Sequence, residues 1–220
     1  MLVEAYLRRG KRSLQRLARD PKVRSVGTVA AYGGSGFLMS AASVGGFAQP
    51  LAMGLICATT GWRTLVMALG AMAGYPTFWG SGGSQGIVWS AAGGLLALLV
   101  GKKEESREQP LMIPAIAAFL TAVAGISFYF LVGEEAPPAV YALRIALAFF
   151  TAVLFTQCSR CRDVVTDWLA GGVAVLALAR VRLGGVCLGG IAAGILAVGA
   201  PFPAAVVAGL GLDLAQVTPL

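Results

Sequence analysis

The sequence predicts an all-α protein, a polytopic integral membrane bundle of about eight or nine hydrophobic segments, some of them short or half-spanning. Three observations carry this. Hydrophobic residues make up 57% of the 220 positions and charged residues only 12%, about half the charged share of a soluble domain. The mean hydropathy is +0.78. Thirty residues are glycine, a residue commoner in membrane helices than in soluble ones.

The first element is residues 1–25, "MLVEAYLRRGKRSLQRLARD" and its flank. Leu2, Val3, Tyr6, Leu7, Leu14, Leu17 and Ala18 fall on one helical face, and Arg8, Arg9, Arg12, Arg16 and Arg19 on the other. With Lys11, Lys22 and Arg24 they concentrate nearly all of the +7 net charge in one end of the chain. Pro21 marks the expected end of the helix. An amphipathic helix of this kind rests on anionic lipid, at about 1 kcal/mol per basic side chain, or serves as a solvated tail that fixes orientation. Both readings place it in the cytoplasm. The pI of 9.6 thus belongs to one end, and gives no basic face for nucleic acid.

The second unit, residues 26–220, is the transmembrane domain. Its apolar segments run over 26–45, 48–61, 64–79 and 85–101, then over 110–132, 139–156, 164–179, 183–200 and 202–217. A cleaved leader at "LMSAASVGG" is disfavoured by the long basic stretch before it and the many segments after it. With the N-terminus inside, the loops bearing Arg63, Lys102/Lys103/Arg107 and Arg160/Arg162 fall on the cytoplasmic side, and Glu134/Glu135 outside. Arg180 and Arg182 break the pattern. The short core "WLAGGVAVLALA" suggests that 164–179 is a half-span returning to the inner side.

"TQCSRCRD" carries Cys158 and Cys161 at the spacing of a redox dithiol or half a zinc site. A structural zinc site needs four ligands, and the chain has no second such pair and no histidine. A cytosolic loop keeps such thiols reduced, whatever Arg160 and Arg162 do to their reactivity; acylation of a juxtamembrane cysteine is the other option. Cys57 and Cys187, inside apolar segments, are expected to pack as small hydrophobes.

Small residues four apart, Gly70/Gly74 in "GAMAG" and Gly185/Gly189 and Gly190/Gly194 in "GGVCLGGIAAG", suit close helix packing. Packing inside the bundle is the first expectation; self-association is the second. "GYPTFWGSGGSQG" reads as an irregular connection without the lysine of a phosphate-binding loop; it is also a possible wall of a polar cavity. Arg63, Arg144, Asp167 and Asp213 are the ionisable candidates in or beside the spans. Arg63 and Asp167 fit loop edges, Arg144 fits a rim pair with Glu134 or Glu135, and Asp213 is the most intramembrane of the four. No catalytic or metal-ligating set emerges.

"QPLAMGLICATTGWRTLVMALGAMAGYPTFWG", the later spans and "GLGLDLAQVTP" resemble the N-terminal membrane region of stage II sporulation protein E, over roughly residues 26–218. The resemblance rests on the proline opening a short span, the small-residue turn before Arg63, and "LGAMAGY". It implies a bacterial plasma membrane domain, incomplete at its C-terminus, that anchors and localises a protein serine phosphatase. Members of that family carry a soluble phosphatase domain using manganese or magnesium, whose substrate is an anti-sigma-factor antagonist and whose adjoining region engages the division machinery. Those regions have no counterpart here, so the chain itself is expected to be neither a phosphatase nor a cofactor binder. The competing expectation is a small-molecule, vitamin-like transporter or its substrate-binding component, with an intramembrane enzyme third.

Overall fold

A computed structural model describes residues 21–100, 111–132, 136–160, 163–199 and 201–216. The basic face from Arg8 to Arg19, the loop containing Lys102, Lys103 and Arg107, Glu134/Glu135, and Cys161 with Arg162 lie outside them. The order is α1 (Pro21–Met39), β1 (Ser43–Val44), β2 (Phe47–Ala48), α2 (Leu51–Cys57) and α3 (Trp62–Trp79). A 3₁₀ turn over Gly80–Gly83 leads into α4 (Ser84–Val100), α5 (Met112–Val132) and α6 (Pro138–Arg160). Last come α7 (Val164–Leu178), β3 (Arg182–Leu183), β4 (Val186–Cys187), α8 (Leu188–Gly199) and α9 (Phe202–Gln216).

The described residues are helical, as the composition implies. Among the described residues two segments, Met112–Leu131 and Pro138–Cys158, are long and apolar enough to cross a membrane. Pro21 opens α1; the helix expected to end there lies outside the described residues. The proline's missing N–H costs nothing in a first turn, where the amide has no helical partner.

One β-hairpin occupies the junction of the expected segments 26–45 and 48–61, and a second the start of 183–200. Ser43 pairs with Ala48 and Val44 with Phe47; Arg182 pairs with Cys187 and Leu183 with Val186. Gly45 and Gly46 turn the first at φ 61° and 77°, Gly184 and Gly185 the second at 57° and 86°. Two consecutive residues at positive φ match the two-residue turn that continues the right-handed twist of a hairpin, and glycine adopts it without Cβ strain.

The hairpins belong to a duplicated unit. In both, a helix leads into the hairpin, a short helix follows, and then a second long helix. Bonding repeats with a constant offset in sequence: Gln49 N–H donates to Ala42 O at 3.1 Å, and Leu188 N–H to Val181 O at 2.9 Å. Ala42 N–H donates to Met39 O at 3.4 Å, and Val181 N–H to Leu178 O at 3.0 Å. Gly33 and Gly172, related by the same offset, each take the second long helix against their backbone. A Cβ on Gly70 would fall on the Gly33 carbonyl, and one on Gly211 would lie 2.7 Å from the Gly172 oxygen. Within the first pair the helices run parallel, since Tyr32 meets Trp62 and Phe37 meets Phe78.

The two copies are packed differently. In the first, Leu51, Ala52, Met53 and Ile56 are fully buried, enclosed by α4, α5 and α6. Gly54 permits this on one side, where a Cβ would lie 2.6 Å from Thr151 Cβ and 2.7 Å from Ala152 N. In the second, Leu183, Val186, Ile191 and Ile195 are exposed, and Val198 is 92% exposed.

Candidate functional site

The first hairpin brings its carbonyls to the start of α6. Arg144, two turns into that helix, is 3% exposed and donates from Nε to Ala48 O at 3.2 Å. Its guanidinium lies over two rings, with Cζ 5.2 Å from the centre of Trp89 and 5.6 Å from that of Tyr141. The next carbonyl, Gln49 O, accepts from Tyr75 Oη at 2.8 Å. Tyr75 meets Trp89 edge to face at 5.9 Å. Aromatic faces are negative, so they hold a buried cation where water is excluded.

A cavity of about 330 Å³ opens beside Arg144, walled by Thr121, Gly125, Ile126, Tyr129, Phe130 and Tyr141. Glycine at 125 shapes the wall. A Cβ there would come within 3.1 Å of Tyr141 Cδ1 and 3.9 Å of Gln85 Nε2. Gln85 is 1% exposed and Trp89 is also 1% exposed. Both amide atoms of Gln85, Trp89 Nε1 and Gln49 Oε1 are buried without a hydrogen-bond partner among the described residues.

A second cavity, about 390 Å³, lies at the opposite end of α3, lined by Tyr32, Leu55, Thr59, Arg63, Phe155 and Cys158. Arg63 is exposed and sits 5.4 Å over Tyr32. The shared cavity puts Arg63 and Cys158 at one end of the bundle, in keeping with the loop charges. α7 starts there, with Cys158 Sγ 3.5 Å from Thr166 O, and ends where Arg180 stacks 4.0 Å over Trp79. The helix therefore joins the two ends of α3, and it is among the shorter apolar helices rather than the two long enough to cross a membrane. Fifteen residues extend about 22 Å, enough to separate the two ends.

The four ionisable candidates are not brought together. Arg144 is buried and bonds the first hairpin at Ala48 O; Glu134 and Glu135, its expected partners, lie outside the described residues. Asp213, expected to be the most intramembrane, is exposed on α9, and Asp167 is exposed in the first turn of α7. The small residues divide as well. A Cβ on Gly74 would lie 2.7 Å from Phe37 O, and one on Gly189 2.5 Å from Ala179 Cα. Gly185 is a turn residue at φ 86°, while Gly190 and Gly194 meet nothing within 4 Å, so internal packing does not use them. Tyr75, Gln85, Trp89 and Gln49 were missed in the sequence. Their signal is an amide and a tryptophan four apart in "SQGIVWS", which share one helix face.

No protein-family model, curated protein or solved structure matches the chain. Chemistry must then be judged from the side chains. Among the described residues no three His, Cys, Asp or Glu side chains form a group that would hold a metal ion, so no set there fits manganese or magnesium. Cys158 is half-buried and packs against the core, with its Sγ 3.5 Å from the Thr166 carbonyl. Replacing both Cys158 and Cys161 with serine should lower stability by less than about 1 kcal/mol and leave localisation unchanged. Stoichiometric zinc in the purified wild type, or loss of expression in the double variant, would contradict this.

Proposed function

We propose that this chain is a polytopic helical domain of a bacterial plasma membrane that anchors and localises, at the bilayer, the protein to which it belongs. Its polarity is the observation that carries the reading. Leu131 is 84% exposed, Phe202 81% and Phe130 77%, while Arg144, Gln85, Gln49, Thr64 and Thr151 are buried. Such a distribution is unfavourable in water at roughly 25 cal/mol per Å² of exposed apolar area, and favourable in lipid. The resemblance to the membrane region of stage II sporulation protein E supports an anchor for a sporulation-type serine phosphatase, whose partners would be reached through other regions. On this reading Arg63 and Cys158 face the cytoplasm, Arg180 faces outward, and the basic residues 8–19 lie against anionic lipid.

A second reading, a small-molecule transporter or its binding component, is favoured by the two cavities at opposite ends of the bundle. The seven-residue α2, only about 10 Å long, runs between them. Short, Gly- or Pro-interrupted segments at corresponding positions of a duplicated fold are the usual place for a membrane substrate site.

Two measurements test the anchor. The chain should resist carbonate extraction and carry a fused fluorescent domain to the membrane, without manganese-dependent hydrolysis of a phosphoserine protein. In single-cysteine variants on intact cells, an impermeant maleimide should label position 135 and not position 158. Extraction by carbonate would refute membrane integration; the reverse labelling pattern would refute the orientation.

A further inference from the structure

We propose that the bare face of the second unit, the outer side of α8 with the β3–β4 hairpin, is where two copies of this chain pair about a two-fold axis in the bilayer. This goes beyond anchoring and rests on the membrane placement proposed above.

The first unit shows what such a face takes. Leu51, Ala52 and Ile56 of α2 are fully buried, under α4, α5 and α6. Contact there is close: a Cβ on Gly93 of α4 would lie 3.1 Å from Met53 Cγ and 3.6 Å from Ile56 Cγ2. The offset that relates the two hairpins carries Leu51, Ala52 and Ile56 to Gly190, Ile191 and Ile195, all of which are exposed. Helices α7 and α9 pack on α8 but leave this side bare. Gly189 faces inward, where a Cβ would lie 2.5 Å from Ala179 Cα. The hairpin belongs to the same face: Leu183 is 64% and Val186 53% exposed. Leu188 stands where Gln49, in the first unit, donates from Nε2 to Phe47 O at 3.1 Å. An open strand edge at membrane depth calls for a protein or aqueous cover.

The occupant follows from the shape of α8. Gly190, Ile191, Gly194, Ile195 and Val198 recur at the spacing of one helical face and are all exposed, so two glycine notches alternate with isoleucine ridges. A Cβ on either glycine would meet nothing within 4 Å. A two-fold contact uses one patch on both partners, so the patch must fit itself. A ridge from each copy in a notch of the other does so, at the close approach of small residues four apart. Lipid tails are as apolar as these side chains, so van der Waals fit decides between helix and lipid. Fluid acyl chains do not match two fixed notches as a rigid ridge does. No charged residue lies on α8, so two copies meet along it without repulsion.

The patch is small. Twelve residues make about 18 Å of helix, about 10 Å across, well short of the roughly 800 Å² per partner of a standard soluble interface. Pairing is therefore set by the density of the chain in the bilayer, and dilute detergent holds the monomer.

The test counts copies by single-molecule photobleaching of the full chain, fused to a fluorescent protein, in phosphatidylcholine vesicles over a range of chain-to-lipid ratios. Two-step traces should replace one-step traces as density rises. Gly194→Leu, which fills a notch, and Ile195→Ala, which removes a ridge, should each move that midpoint at least tenfold to higher density. Both should melt with the wild type in dilute detergent, since a Cβ at residue 194 meets nothing and Ile195 is 66% exposed. Leu131→Ala, at the 84% exposed end of α5, should leave the midpoint in place. One-step traces at every density would overturn the proposal, lipid then being the cover. So would wild-type midpoints in both α8 variants, which would put pairing elsewhere, or traces of more than two steps, which would exclude a closed two-fold. Release of the chain by carbonate would refute the membrane placement; one-step traces from chain that carbonate leaves in the membrane would refute the interface alone.

Discussion

Gly54→Leu should prevent the first duplicated unit from closing, with a loss of at least about 3 kcal/mol, at the upper end for overpacking a core. The reason is geometric. A Cβ at residue 54 would sit 2.7 Å from Ala152 N and 2.6 Å from Thr151 Cβ, and backbone cannot move aside as a flexible side-chain tip can. α2 has no compensating freedom, because Leu51, Ala52, Met53 and Ile56 on its other sides are fully buried. Residue 54 should tolerate alanine better than leucine, and neither well. Thermal melting in detergent, read with the monodisperse fraction by size exclusion, measures the effect; a leucine variant that melts with the wild type would show that α2 is not clamped by α6. The matched control is Gly194→Leu. Gly194 also lies in the short helix of its unit, but meets nothing within 4 Å, so it should stay within about 0.5 kcal/mol of wild type.

The second large effect is expected at Trp79. Its indole Nε1 donates to Ser40 O at 2.9 Å, closing the end of α1 onto α3, and its face carries Arg180 at 4.0 Å. Trp79→Ala removes a half-buried ring, a hydrogen bond and a cation–π contact together, for a loss of about 2–3 kcal/mol. Arg180→Ala alone should cost about 0.5–1 kcal/mol, the range for a partly exposed cation on an aromatic face. The two losses should not add, because Trp79→Ala already abolishes the contact. Additive losses in the double variant would mean that Arg180 is held by something other than the indole.

Much of the helical fabric is legible in the residues. The apolar runs 64–79, 110–132 and 164–179 differ from α3, α5 and α7 by at most two residues at either end, since membrane-like helices announce themselves by continuous hydrophobicity. The hairpins were hidden by that same continuity. "SVGGFA" and "RLGGVC" contain a Gly-Gly turn between short strands, but the flanking apolar residues merge with the helices around them. The duplication could have been found by aligning those two stretches, which share the spacing of their glycines and little else. Arg144 was legible as a charge in a span and illegible as a site. Its expected partners Glu134 and Glu135 lie outside the described residues, while its bond to the Ala48 carbonyl spans 96 residues, and no local pattern carries that distance.

The same separation bears on how the chain is made. A ribosome adding about 5–20 residues each second completes the first hairpin and α2 several seconds before Arg144 and Thr151 emerge. During that interval Ala48 O lacks its guanidinium and α2 lacks the helix that clasps it, in a segment too short to cross the bilayer alone. The first unit must therefore wait, half-assembled, until α6 is delivered. In the second unit the hairpin and α8 remain largely uncovered by the described helices. If the chain enters a bilayer as proposed, the two copies of one motif do so under different schedules, the first of them dependent on late-arriving sequence.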